Sequence, residues 1–179
     1  LPQFRKVAGQ EVFAGSLIQV SVAQFEGPGG ETFERDVVHH PGAVVVVPLT
    51  TDGHVVMVRQ FRAAIEDDLL EIPAGKRDVD GEPPEVTAGR ELAEEVGLRA
   101  EHIDLLACFY NSPGFTDEYT WLYLATGLSP VPINRQGAEE MLMSVEHVVL
   151  DDVPAMIADR RIVDAKSIIG LLLTIQRGR

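Results

Sequence analysis

Glu91, Glu94 and Glu95 crowd the ten-residue stretch GRELAEEVGL, residues 89–98. On a helix, at roughly 100° per residue, these three carboxylates share an arc about 100° wide. Glu91 and Glu95 are four residues apart and repel mildly. Glu94 and Glu95 also lie near the helix C-terminus, where the macrodipole disfavours anions. Both effects work against the helix, by a few tenths of a kcal/mol each. A divalent cation reverses both signs, because hard cations such as Mg²⁺ take oxygen ligands from carboxylates, water and substrate phosphate. The competing reading is a solvated acidic helix face, which is common.

The elements around this stretch must place it. Pro83 and Pro84 fit only a first helical turn and Gly97 a C-terminal stop, which predicts a helix over Pro84–Val96. Its apolar arc is expected to be Val86, Leu92, Ala93 and Val96, roughly opposite the glutamates. Gly89 falls near the centre of that arc. A mid-helix glycine costs about 1 kcal/mol relative to alanine, so a close backbone approach is expected there. Upstream, Leu69–Ala74 (LLEIPA) reads as a short strand leading into Gly75, where backbone can come close to a ligand.

Strands are also expected at Ala43–Leu49 and His54–Gln60, joined by a Thr51-Asp52-Gly53 hairpin turn, and at Ile103–Asn111 and Tyr119–Gly127. A last helix over about Asp164–Gln176 carries Ile168, Ile169, Leu172 and Ile175 at helical spacing, a core-packing face. The interleaving of strands and helices indicates an α/β (α+β) sandwich with a mixed sheet. Before it, alternation over Val12–Glu26, a Gly27–Gly30 turn and Thr32–His39 form an expected small N-terminal antiparallel sheet. The division expected is 1–40 for this β segment and 41–179 for the main domain.

A net charge of −13 argues against nucleic acid or anionic membrane as a partner. The 45% hydrophobic content of 179 residues suffices for a sizeable core. The single cysteine, Cys108, permits no internal disulfide and fits a reducing compartment; in its apolar run it is expected to be buried and inert. The opening residues lack a basic-then-apolar leader pattern, so a cytoplasmic location is expected. The five histidines show no metal-ligand spacing, and no P-loop, dinucleotide-binding glycine triplet or nucleophile elbow is present. Arg59 and Arg62, at the end of their strand, could clamp a diphosphate through forked guanidinium contacts, or be ordinary surface charge.

Gly75, Glu82, Arg90-Glu91-Leu92, Glu94-Glu95 and Gly97-Leu98 together resemble the signature of the Nudix hydrolases. Seven residues separate Glu82 from Arg90, as that pattern requires; six rather than five separate Gly75 from Glu82. The extra residue falls in the loop Lys76–Gly81, where an Asp80-Gly81 turn can absorb it. The resemblance implies a Nudix-type α/β/α sandwich. It also implies Mg²⁺, with Mn²⁺ as a substitute, on Glu91, Glu94, Glu95 and the Ala74 carbonyl. Gly75, Glu82, Arg90 and Gly97 would then be structural parts of the box, with Arg90 pairing to Glu82 or Glu94.

Glu71-Ile72-Pro73-Ala74-Gly75 and Pro113, fifteen residues after Leu98, are similar to the ADP-ribose diphosphatase branch. That branch implies hydrolysis of ADP-ribose to AMP and ribose 5-phosphate, by in-line attack of a metal-activated water. Arg59, Arg62 and Gly114 would contact substrate. A glutamate in the loop Arg135–Glu140 would be the base, Glu140 by position, with Glu139 beside it. The family also implies a homodimer through the N-terminal sheet. The alternatives are the same chemistry on another nucleoside diphosphate sugar, or a non-hydrolytic module that senses a nucleotide.

Overall fold

The computed structural model describes residues 3–135 and 138–178, apart from the side chains of Ala138 and Glu139. The chain forms two compact units: residues up to Gly42 with Phe109–Thr120, and Ala43–Cys108 with the chain from Trp121 onward.

In the first unit, β1 (Arg5–Ala14), β2 (Gln19–Glu26) and β3 (Thr32–His39) form an antiparallel sheet in the order β1-β2-β3. The alternation over Val12–Glu26 therefore covers two strands, not one. The break comes at Gly15, whose N–H donates to the Ile18 carbonyl at 2.8 Å and folds the chain back. The segment between Asn111 and Glu118 belongs to this unit too. Val38 N–H donates to the Phe115 carbonyl (2.8 Å) and Asp117 N–H to the Val38 carbonyl (3.1 Å).

The second unit begins with β4 (Ala43–Pro48), β5 (His54–Arg62), β6 (Asp67–Glu71) and β7 (Ala74–Lys76). Then come α1 (Pro84–Val96), β8 (Leu98–Arg99), β9 (His102–Tyr110), β10 (Tyr119–Thr126) and β11 (Ser129–Pro130). The chain ends with α2 (Ala138–Met141), β12 (Ser144–Val149), a 3₁₀ turn (Leu150–Asp152), α3 (Val153–Ala158) and α4 (Ala165–Arg177). The sheets run β7-β4-β10-β9 and β12-β5-β6, with a small β11-β8 pair.

All six residues of β4 are buried, as its unbroken apolar run requires of a strand covered on both faces. Val44 and Val46 pack with Ala88, Leu92 and Val96 of α1. On the other face Val47, with Ile72 and Leu122, presses on Gly170 of α4, where an added Cβ would come within 2.9–3.0 Å of all three side chains. Helices on both faces of one sheet make the expected sandwich.

Several details differ from the sequence reading. Thr51-Asp52-Gly53 does turn, with Gly53 at φ 82°, yet β4 and β5 enter different sheets. LLEIPA is not one strand: Ile72-Pro73 separates β6 from β7, which also lie in different sheets. The buried side of α4 is Ser167, Gly170, Leu171 and Thr174, while Leu172 is 44% exposed. That helix is apolar nearly all round, so close approach at its small residues, not the count of isoleucines, sets which face is buried. Cys108 is exposed rather than buried, because β9 is the edge strand of its sheet.

Candidate active site

The helix α1 starts and stops as its sequence dictates. Pro83 is extended at the N-cap, Pro84 occupies the first turn, and Gly97 closes the helix at φ 67°. Glycine is required at that stop twice over. Besides the positive φ, a Cβ there would sit 2.6 Å from Ile133 Cγ1 and 2.9 Å from the Val131 carbonyl oxygen. The extra residue between Gly75 and Glu82 is absorbed in a turn in which Glu82 N–H donates to the Val79 carbonyl at 3.2 Å.

The buried face of α1 is Thr87, Ala88, Glu91, Leu92, Glu95 and Val96. This corrects the expected wheel: Val86 is 50% exposed, while Glu91 and Glu95 are 8% and 3% exposed. The helix is rotated so that two carboxylates, instead of Val86 and Ala93, flank the Ala88-Leu92-Val96 seam. Gly89 approaches no backbone; a Cβ there would meet only Ile103 Cδ1, at an ordinary 3.5 Å. The tight glycine is Gly75, where a Cβ would overlap the Glu91 carboxylate. Pairing of β7 with β4, Gly75 opposite Val44 and Ala74 opposite Val45, brings this backbone against the helix.

Glu95 accepts a hydrogen bond from Ala74 N–H at 3.0 Å. Burial, beyond what that bond offsets, pushes its pKa up to about 8, and the charges of Glu91 and Glu140 add to the rise. Burial likewise pushes Glu91 up to about 7; Arg90 opposes this, and Glu94 and Glu140 reinforce it. Glu140 stands on α2, a short helix where a loop was expected, and its charge reaches both buried glutamates. The side chain of Glu139 lies outside the described residues.

Arg90 gathers the remaining box carboxylates. Its guanidinium lies 2.8 Å from Glu91, 3.1 Å from Glu94, 3.4 Å from Glu82 and 3.7 Å from Asp78. Glu82 also accepts from Thr87 Oγ1 at 2.7 Å, and that bond, together with Arg90, holds its pKa below the ordinary value.

The two arginines of β5 part company. They are three residues apart on a strand and so face opposite ways. Arg62 grips Glu71 with two bonds of 2.7 and 2.8 Å and lies within electrostatic reach of Glu95. Arg59 pairs with Glu146 at 2.6 Å and lines a separate cavity of about 360 Å³ with Met156, Arg160 and Arg161. They therefore do not form one clamp. Gly114 lies in the first unit, with open space where a Cβ would stand.

Glu71 was missed as a site-building residue, although a lone charge inside the apolar run LLEIPA is a signal of a paired buried group. It is 1% exposed. Its strand is pinned by Ile72 N–H donating to Ser167 Oγ (2.9 Å), and Ser167 in turn donates through both N–H and Oγ to Asp164, the N-cap of α4.

Glu91 and Glu95, both buried against the Ala74-Gly75 backbone, form an all-oxygen set on one face of α1, with the Arg90 guanidinium 2.8 Å from Glu91. Hard divalent cations prefer such a set. Among the described residues no three His, Cys, Asp or Glu side chains already converge as a finished cation cage. Among those residues, too, no helix is long and apolar enough to cross a membrane.

The NUDIX domain model matches residues 38–167. A Bacillus subtilis (strain 168) protein named ADP-ribose pyrophosphatase is 40% identical over 163 residues, covering 91% of this chain and 88% of its own. A Bacillus methanolicus protein named methanol dehydrogenase activator is 38% identical over 167 residues, covering 93% and 90%. Among solved structures, one described as an ADP compounds hydrolase superposes with a TM-score of 0.85 at 22% identity, covering 99% of this chain and 95% of that one; it shows the same fold.

Proposed function

This chain belongs to the Nudix family, and on that premise we propose that it hydrolyses the diphosphate of ADP-ribose to AMP and ribose 5-phosphate. Enzymes of this family generally depend on a divalent metal, which we take to be Mg²⁺, with Mn²⁺ as a substitute. The observation that carries the reading is the pair of buried glutamates, Glu91 and Glu95, on one face of α1, with the charge of Glu140 acting on both. Support for the substrate comes from the relative named ADP-ribose pyrophosphatase.

Glu91 and Glu95, helped by Glu94 and the Ala74 carbonyl, would hold the metal. Bound there, it supplies Lewis acidity at the phosphate oxygens and fixes the line of attack. Glu140 orients the attacking water and takes its proton; one O–P bond forms as the bridging P–O bond breaks, and each product leaves with a phosphate. Arg90 does no chemistry and keeps Glu82, Glu91 and Glu94 in register. Arg62, within electrostatic reach of Glu95, is the arginine we assign to substrate phosphate. Arg59 faces away from these carboxylates. We assign the chemistry to 41–179.

We further propose a homodimer through segment 1–40. Its support is β1, exposed along all ten residues and carrying Val7, Val12 and Phe13 outward, with Phe4 just ahead of it; long apolar edge strands are otherwise an aggregation hazard. The single cysteine supports a reducing, cytoplasmic setting.

The test is a panel of nucleoside diphosphate compounds with Mg²⁺ in ¹⁸O-labelled water. ADP-ribose should be the preferred substrate, with label in one product only. Preference for another nucleoside diphosphate sugar would change the substrate and keep the chemistry. Binding of ADP-ribose without product would make the protein a sensor.

A further inference from the structure

The segment that carries Glu140 is tied to the far end of α1 by a residue with no place in the chemistry above. Arg135 Nε donates to the Glu95 carbonyl oxygen at 3.0 Å, and its Nη1 to the Met143 carbonyl oxygen at 2.6 Å. The first acceptor is one of the last four carbonyls of α1, which lack an intrahelical partner. No basic residue lies in that last turn, so the guanidinium supplies from outside the positive charge that a helix C-terminus favours.

The second acceptor, Met143, is 5% exposed, packs in the core with Leu92 and Val96, and closes the turn after Glu140 by donating its N–H to the Glu140 carbonyl at 3.1 Å. A second tie runs nearby, from Val131 N–H to the Gly97 carbonyl at 2.8 Å. Glu95, whose carboxyl feels the charge of Glu140, is therefore also the residue whose backbone carbonyl anchors the Glu140 segment through Arg135. A planar guanidinium holds its two donors in a fixed geometry that suits this bridge, whereas an ammonium offers its donors on a flexible stem and would hold it less firmly.

We propose that Arg135 is a positioning residue that sets Glu140 against the Glu91–Glu95 face. The inference rests on Glu140 acting as the base. Misplacing a reacting group by about 1 Å can cost on the order of 100-fold in rate, so the effect should appear in kcat and not in binding.

The test is a double-mutant cycle with R135A and E140Q, read by steady-state kinetics on ADP-ribose with Mg²⁺, after circular dichroism shows a wild-type fold. R135A is expected to lower kcat by about 10- to 100-fold, with KM and the half-saturating Mg²⁺ concentration within about twofold of wild type. In the E140Q background the same change should cost less than about twofold. R135K should recover part of the lost rate, and it replaces R135A in the cycle if R135A does not fold. Equal losses from R135A in both backgrounds, or a large shift in the Mg²⁺ requirement, would overturn the proposal. So would R135A at the wild-type rate while E140Q is impaired, which removes Arg135 alone. E140Q at the wild-type rate would remove the base assignment and this inference with it.

Discussion

Glu71 and Glu95 are buried to nearly the same degree, 1% and 3% exposed, in opposite surroundings. Glu71 is held at both oxygens by the Arg62 fork, with Lys166 3.9 Å from Oε2. Glu95 receives one backbone amide and feels the charges of Glu91 and Glu140, with Arg62 acting against them. A buried carboxylate in a fold is ordinarily paired, since an uncompensated charge costs several kcal/mol. The fold itself neutralises Glu71 through Arg62, whereas burial holds Glu95 toward its protonated form, and in the proposed function a metal would take the place of that proton.

Glu95→Gln should separate the two regions most sharply. It is expected to reduce turnover by about 1,000-fold or more while leaving the circular dichroism spectrum unchanged; a near-normal rate with Mg²⁺ would take Glu95 out of the site. Glu140→Gln comes next, with kcat down by about 100-fold and metal affinity unchanged, measured by initial rates over a Mg²⁺ titration. Glu71→Gln should act the other way round. It leaves Arg62 without its charge partner and is expected to cost about 1–3 kcal/mol, discounted because Arg62 is partly open to solvent. Thermal unfolding would read this as a drop of several degrees in Tm, larger than any seen for Glu95→Gln without metal.

A pH series sharpens the contrast further. Both site glutamates have folded-state pKa values raised from 4.5, to about 7 and about 8. Stability from their protonated forms is therefore present below the ordinary value and lost as pH rises through the raised ones. Metal binding reverses that loss. The gap in Tm between Mg²⁺ and chelator should widen from about pH 6 to about pH 8, and a gap independent of pH would count against the glutamates as ligands. The smallest effect belongs to Arg59→Ala, which should change KM by less than about twofold, because that side chain pairs with Glu146 and lines the cavity of Met156, Arg160 and Arg161.

Local chemistry made much of this readable in advance. Pro84 and Gly97 bound α1 where the sequence places its ends, because proline and glycine act through the backbone alone. The β-branched run of β4 could only be a strand covered on both faces. What could not be read depended on neighbours far away in the chain. The rotation of α1 is not legible in its own sequence, because the room that lets Glu91 turn inward is made by Gly75, outside the helix. The two faces of β5 were conflated because proximity of Arg59 and Arg62 in sequence hides their alternation. The burial of Ser167 and Gly170, not the isoleucines of α4, follows from shape against β4, to which composition is blind.

The most direct test is anomalous diffraction from a crystal soaked in Mn²⁺ and a non-hydrolysable ADP-ribose analogue. A peak about 2.2 Å from carboxylate oxygens of both Glu91 and Glu95, with the diphosphate completing the shell, is the expected result. Glu91 and Glu95 bare of metal while the analogue occupies another cleft would contradict it.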